Sequence, residues 1–462
     1  MSIWSNSFFD PLLFAWLISL LPADPRTARA LRRLAEACLY KVSGNAPLDP
    51  KVANAAVIGL GRIDSEAAVA ELARLSTRVT YRGTLALVKE ALDTRADALG
   101  ITRAEIEEMT VPHYGLSEAG RAAYKLGEAT AIVEIEGTHA VLRWQNAAGN
   151  MVKSAPAAVG RDCAGELKEL RTTVKDIDTM LTSQRTRLER LFLAPRTWTF
   201  DVWRELYLDH PLVGALARRL LWDIDGTTIG YADGQLRTVL GDPITDGSQV
   251  RLWHPIGRAN EEILAWRARL DSLGITQSFE QAHREVYRLT DAERRTASHS
   301  NRFAAHILRQ HQFHALATLH GWRNKLRLPV DDEAPPATRE LPEWGLRAEY
   351  WIEGRDDEEE DDTGSPSYRY VYGDQIRFYP IDAPVVTAHM SDGDYGMRLR
   401  AGVVPVEPVP LETVPPLVLS EIFRDVALFV GVSTVGNDPT RVDGPRSTSQ
   451  RVPAKPYECQ RS

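Results

Sequence analysis

The sequence predicts an α+β protein: an N-terminal helical-repeat (HEAT-like) stack over 1–112, a mixed central domain over 113–329, and a small β-rich C-terminal domain over 330–437. A polar tail, 438–462, rich in Pro, Ser and Arg, is expected to be disordered. Three observations predict this order. Apolar residues recur with helical spacing up to about residue 110. The period changes to strand-like alternation after Pro112. Beyond residue 345, Tyr, Trp, Ile and Val cluster in short runs that suit a pleated surface.

In the first region, Asp10-Pro11, Asp24-Pro25 and Asp49-Pro50 each set a capping carboxylate before a proline. At the first helical position the missing N–H of proline costs nothing. Helices follow over roughly 11–21, 25–42, 50–60, 65–78 and 84–99, with Gly44, Gly61 and Gly100 as stops. Thr102 and Glu105 form a capping box that opens a sixth. The apolar stretch Pro11–Leu21 is shorter than the about 20 residues a membrane span needs. It also lacks the basic start of a signal peptide. It reads as a buried helix of a cytoplasmic protein, in keeping with only three cysteines, Cys38, Cys163 and Cys459.

The central region predicts a three-stranded meander over 129–136, 138–145 and 151–155. A helix over 162–193 follows, whose Leu167, Leu170, Val174, Ile177, Leu181, Gln184, Leu188 and Leu191 make a 3-4 seam with one polar position. That seam packs either within the chain or against a partner helix. His210-Pro211 and His254-Pro255 each precede a tryptophan, Trp222 and Trp266, by the same interval, read as a coincidence of helix-start chemistry or alternatively as a duplicated helical unit. Helices over 278–289 and 291–319 come next, the second opened by the box Thr290–Glu293. Strands are expected at 346–352, 368–373, 376–381 and 396–401, with the acidic run 356–362 as a solvated loop, and a last apolar helix spans 416–430.

The chain has 55 Lys+Arg against 63 Asp+Glu, a net charge of −8. This excludes a generally basic nucleic-acid-binding protein, and the composition excludes collagen-like and disulfide-framework chains. The charge is unevenly placed, near zero over 1–112, positive over 113–329 and strongly negative after 330. Arg294, Arg295, Arg302, Arg309, Arg323, Lys325 and Arg327 fall in a stretch without acids. They are read as a solvated helix face neutralised by the acidic run at 356–362, or alternatively as an anion- or partner-binding surface. His299, His306, His311, His314 and His320 share that stretch but lack carboxylates and the close spacing of metal ligands, so no metal and no cofactor is expected.

Asp223-Ile224-Asp225-Gly226-Thr227 looks like the first motif of haloacid-dehalogenase-type phosphatases, and Gly241–Asp246 mimics their metal motif. Only 15 residues separate Asp225 from Gly241, too few for the crossovers that fold requires. Polar turns flanking a hairpin account for both stretches.

Several phrases together resemble a bacterial family, domain of unknown function 4132, grouped with molybdate-metabolism-regulator-like proteins. They include Val111-Pro112-His113-Tyr114-Gly115-Leu116, Arg219-Leu220-Leu221-Trp222, Gln277–Glu285, and Ser420-Glu421-Ile422-Phe423-Arg424-Asp425-Val426. The resemblance spans about 70–440 and places the chain at the family's C-terminal module, ending where longer relatives continue. It implies a multi-protein system, in which members sit near MoxR-type ATPases, and it carries over no catalytic residue. The expectation is a non-catalytic interaction or regulatory component with protein partners, an AAA-type ATPase among them, and no membrane. An enzyme of unrecognised type, or nucleic-acid or phosphate binding through 294–327, is the alternative.

Overall fold

A computed structural model describes residues 24–39, 48–79, 81–117, 119–324, 333–334, 336–355, 369–385, 387–389, 396–398 and 406–432. The chain divides into two compact units. The first holds Met1–Leu191, Arg196–Trp253 and Ala259–His283; the second holds Phe192–Pro195, His254–Arg258 and Arg284–Ser462. Helices and antiparallel sheets are mixed in an α+β protein.

The first unit begins with a helical region: α1 (Pro25–Leu39), α2 (Pro50–Arg62), α3 (Glu66–Arg78), α4 (Arg82–Leu99) and α5 (Arg103–Met109). The capping chemistry works as its spelling implies. Asp49 accepts from the backbone N–H groups of Lys51 and Val52, Ser65 from Ala68, and the Thr102–Glu105 box closes in both directions. Gly100, at φ +67°, ends α4 in the left-handed region. Leu31, Val57, Leu60, Leu72, Val88 and Leu92 form the core between these helices. The helix expected over 11–21 lies outside the described residues.

The meander has four strands, not three: β1 (Arg121–Leu126), β2 (Ala129–Glu136), β3 (His139–Gln145) and β4 (Met151–Val152). β1 escapes a sequence reading because two of its six residues are alanines, so its buried face carries little hydrophobic signal. A short helix, α6 (Ala157–Asp162), leads into the long α7 (Ala164–Arg190). The α7 seam is buried at Leu167, Leu170, Ile177, Leu181 and Leu188, and α7 packs on β3, α3 and α6 of its own unit.

A six-stranded antiparallel sheet completes the unit in the order β5-β10-β6-β7-β8-β9, from β5 (Trp198–Thr199) through β6 (Trp222–Ile224), β7 (Thr227–Ala232), β8 (Gln235–Arg237) and β9 (Pro243–Ile244) to β10 (Gln249–Leu252). Within it, α8 (Phe200–Trp203) runs into a π-turn over Arg204–Leu208, and α9 (Gly214–Ala217) is a single turn. The duplicated helical unit is therefore not formed. Trp222 lies on a strand, whereas Trp266 lies on α10 (Asn260–Ser272).

The helix expected over 278–289 is absent. Gln281, fully buried, instead bonds the backbone of Leu221 in both directions and the Trp253 carbonyl, while Ser278 donates to Leu216. These long-range bonds replace the helical ladder. The single helix over 291–319 is also corrected. α11 (Asp291–Thr296) stops at Ala297, φ +59°, and the chain then forms β11 (Ile307–Arg309) before α12 (Gln310–Leu319). Pairing of β11 with a long strand of the second unit outweighs local helix propensity.

That unit contains β12 (Glu333–Ala334), β13 (Ala337–Leu341), β14 (Leu346–Arg355), β15 (Tyr370–Pro380), β16 (Thr387–His389), β17 (Gly396–Arg398) and α13 (Pro416–Gly431). Its main sheet runs β11-β15-β14-β13. β15 is continuous where two strands were expected. Gly373 permits this: a Cβ there would stand 1.8 Å from the Tyr350 hydroxyl, beside the bulge in β14. No helix among the described residues is long and apolar enough to cross a membrane.

Candidate functional site

The first unit holds an open cleft of about 1100 Å³ lined by α1, α3, α7 and the turn after α5. Charged residues on the three helices join in one alternating chain. Arg74 pairs with Glu71 (3.0 Å), Glu71 with Arg32 (2.5 Å), Arg32 with Glu36 (2.5 Å), Glu36 with Arg78 (2.5 Å), and Arg78 with Asp176 (2.5 Å). Arg32 and Glu71 are buried, at 8% and 6% exposure, so their mutual pairing offsets a desolvation cost that neither could bear alone. Burial raises the Asp176 carboxyl despite the Arg78 guanidinium beside it.

Tyr114 closes one end of this wall. The Arg74 guanidinium lies 4.7 Å from its ring centroid, and burial pushes the phenol up to about 12. Its backbone is in the left-handed region at φ 52°, followed by Gly115 at φ 76°, and Leu116 N–H closes the turn on the His113 carbonyl. Glycine or asparagine is the usual solution for such a turn. A tyrosine held there costs of the order of 1–2 kcal/mol in backbone energy. The Tyr124 hydroxyl donates to the Tyr114 carbonyl and fixes the conformation.

His210, just below this turn in the same unit, is a neutral ring with a defined tautomer. Its Nδ1 accepts from the N–H groups of Leu212 and Val213, so Nε2 carries the proton and donates to the Val111 carbonyl. Burial lowers its pKa to about 4. His254 in the second unit repeats the device: Nδ1 accepts from Ile256 N–H and Nε2 donates to Glu421. The two His-Pro phrases therefore share a turn chemistry rather than a helical unit.

The basic stretch is dispersed. Arg294 on α11 pairs with Glu412 (2.9 Å), Arg302 with Glu293 (2.6 Å), and Arg323 with Glu340 (3.1 Å). Arg302 also lies over the rings of Tyr287 and Phe423. Arg295 and Arg309 are exposed, while Lys325 and Arg327 lie outside the described residues. These side chains stand on a short helix, a turn, a strand and a bridge, not on one helical face. Their counter-charges are Glu293, Glu340 and Glu412; the acidic run 356–362 lies outside the described residues.

Asp223 and Asp225 serve the backbone. Asp223 accepts from Gly226 N–H, and Asp225 accepts from Ser248 and Gln249 N–H. Asp225-Gly226, with φ 50° and 86°, is the two-residue connection between the antiparallel strands β6 and β7. A phosphatase of the suspected type needs the end of a parallel strand here. Among the described residues no group of three or more His, Cys, Asp or Glu is placed to hold a metal ion.

Residues 149–322 match the family model described as Domain of unknown function (DUF4132). No curated protein and no solved structure matches the chain. The match supports a DUF4132 relationship over a narrower range than the 70–440 expected from phrases alone. The DUF4132 segment takes in α7, the six-stranded sheet and α10 to α12, while the helical region and most of the meander precede it. The cleft is thus built from both: α7 supplies Asp176 from inside the segment, and α1 and α3 supply the other charges from outside it.

Sequence reasoning missed the cleft. The partners in its wall stand far apart, 39 residues for Arg32–Glu71 and 98 for Arg78–Asp176, and no local spacing announces such pairs. The one signal available was the phrase Val111–Leu116, which supplies the strained turn.

Proposed function

We propose that this chain is a non-catalytic interaction component of a multi-protein assembly and that the cleft of its first unit is a docking face. The observation that carries this reading is the alternating charge chain. Each of its six charged groups pairs with at least one neighbour along the chain, which builds a polar wall rather than a reactive centre. An active site needs groups with unspent hydrogen-bonding capacity converging on one point. The strained Tyr114 supports the same reading, since a costly backbone held at a cavity wall is a common mark of a recognition surface. The resemblance to DUF4132 proteins adds a regulatory setting in a bacterial cytoplasm and an AAA-type ATPase as the partner class to test first.

Ala70 on α3 lines the cleft and is half-exposed, so Ala70→Trp fills the cavity without disturbing the core. In native affinity purification followed by mass spectrometry, a specific partner should accompany the wild-type chain and be depleted by roughly ten-fold or more with Ala70→Trp. Thermal unfolding of the two proteins should coincide within a few degrees. Recovery of a lone monomer, or equal capture by both proteins, would overturn the proposal.

A further inference from the structure

The outward face of α7 carries a second feature. Taking Lys168 as reference at 100° per residue, Arg171, Thr172, Lys175, Thr179 and Thr182 all fall within about 60° of it. All six are exposed. Four of the five acids of the helix lie outside that arc, Glu189 at its far end being the exception, and two of the four are turned to the protein: Asp176 pairs with Arg78, and Asp178 accepts from Ala140 N–H. The threonine hydroxyls bond back to their own helix, so they present methyl groups. Lys168, Arg171 and Lys175 make no side-chain ion pair or hydrogen bond among the described residues. Elsewhere in this unit the arginines at 32, 33, 74, 78, 95 and 187 all have counter-ions.

These three cations border a groove of about 650 Å³ between α6 and α7. Its floor is Ala157, Gly160, Ala164 and Leu167, and no acidic residue lines it. We infer that this groove binds an acidic, extended peptide segment of a protein partner. Lys168 to Lys175 spans about 10 Å along the helix axis, the length of about three residues of extended chain. Carboxylates two or three residues apart then meet successive cations, while an apolar side chain between them rests over Ala164 and Leu167. The span exceeds a single small anion. The groove has no aromatic lining residue on which a nucleobase could stack, which favours a peptide over single-stranded nucleic acid.

The groove and the docking cleft meet on α7, where Lys168 and Thr172 line both, while Arg171 and Lys175 line the groove and not the cleft. It is tested on the full chain by fluorescence anisotropy, using a fluorescein-labelled peptide of about twelve residues in which Glu alternates with Ala around a central Leu. Binding with a Kd below about 100 μM at low salt is expected, weakening as ionic strength rises. The triple variant Lys168→Glu, Arg171→Glu, Lys175→Glu should weaken it by roughly ten-fold or more. A control of equal charge change, Arg82→Glu, Lys89→Glu, Lys125→Glu, should leave it nearly unchanged, and so should Ala70→Trp. Circular dichroism melts verify that both triple variants fold. Absence of binding, equal loss in the control, or tighter binding of an oligo(dT) of matched charge at the same cations would overturn the inference.

Discussion

Arg284→Ala is expected to destabilise the second unit by about 3–5 kcal/mol, measured by urea unfolding followed by tryptophan fluorescence. Arg284 and Glu421 are 3% and 4% exposed. The guanidinium gives Nε and a terminal nitrogen to the two carboxylate oxygens, at 2.7 and 2.5 Å, and lies 4.6 Å from the centroid of Phe192. His254 donates to the same carboxylate at 3.1 Å. These donors hold Glu421 down to about 2, well below the usual carboxylate range, against the burial that opposes ionisation. Removing the guanidinium leaves a buried carboxylate without its bidentate partner, and the cost comes from that stranded charge rather than from the lost pair itself. The double change Arg284→Met, Glu421→Leu should therefore recover most of the loss, giving a coupling energy of about 2 kcal/mol or more. A single-variant cost below about 1 kcal/mol would mean that water reaches the pair.

Lowering pH from 8 to 4 should cost the first unit up to about 3 kcal/mol through His210 alone. Its folded pKa of about 4 lies below the roughly 6.5 of an unfolded histidine. Above 6.5 both states are neutral and the full stability is present. As pH falls, the unfolded chain takes up a proton that the buried ring refuses, so stability drops through the window from 6.5 to 4. The Glu421 contribution has its own, more acidic window, being complete above about 4.5 and lost toward 2. His254 in the second unit is also lowered by burial and loses stability in the same direction below 6.5. The variant His210→Asn isolates the effect, because an amide oxygen can accept from Leu212 and Val213 while the group does not titrate. Its stability between pH 6.5 and 4.5 should follow a shallower slope than wild type. Parallel slopes would remove His210 as the source.

Much of the fold could be read locally. Asp49, Ser65 and Thr102 announce helix starts because capping is settled within three residues. The meander and α13 carry clear periods. Failures came where distant backbone competes with local propensity. Gln281 and Ser278 look like ordinary helical residues until Leu221, Trp253 and Leu216 supply partners for their side chains. Glu293 opens α11 as the box predicts, but it also accepts from Ser300 and Arg302, which folds the following chain back and ends the helix within two turns. The candidate surfaces divide in the same way. The cation stripe on α7 is present in the spacing 168, 171, 175 and was overlooked beside the apolar seam of the same helix. The charge chain of the cleft could not be read at all, since it exists only after three separated helices meet.

That chain has a consequence for the order of assembly. The link between Arg78 and Asp176 closes a loop of 98 residues, long enough for the whole meander to intervene. Contacts of such separation form late, after local helices and hairpins. A chain emerging from the ribosome would thus carry α1 to α4 for some time with Arg78 and Glu36 facing water, and the cleft would appear in one step when α7 docks. Until then the cleft does not exist, so any docking on it waits on the synthesis of α7.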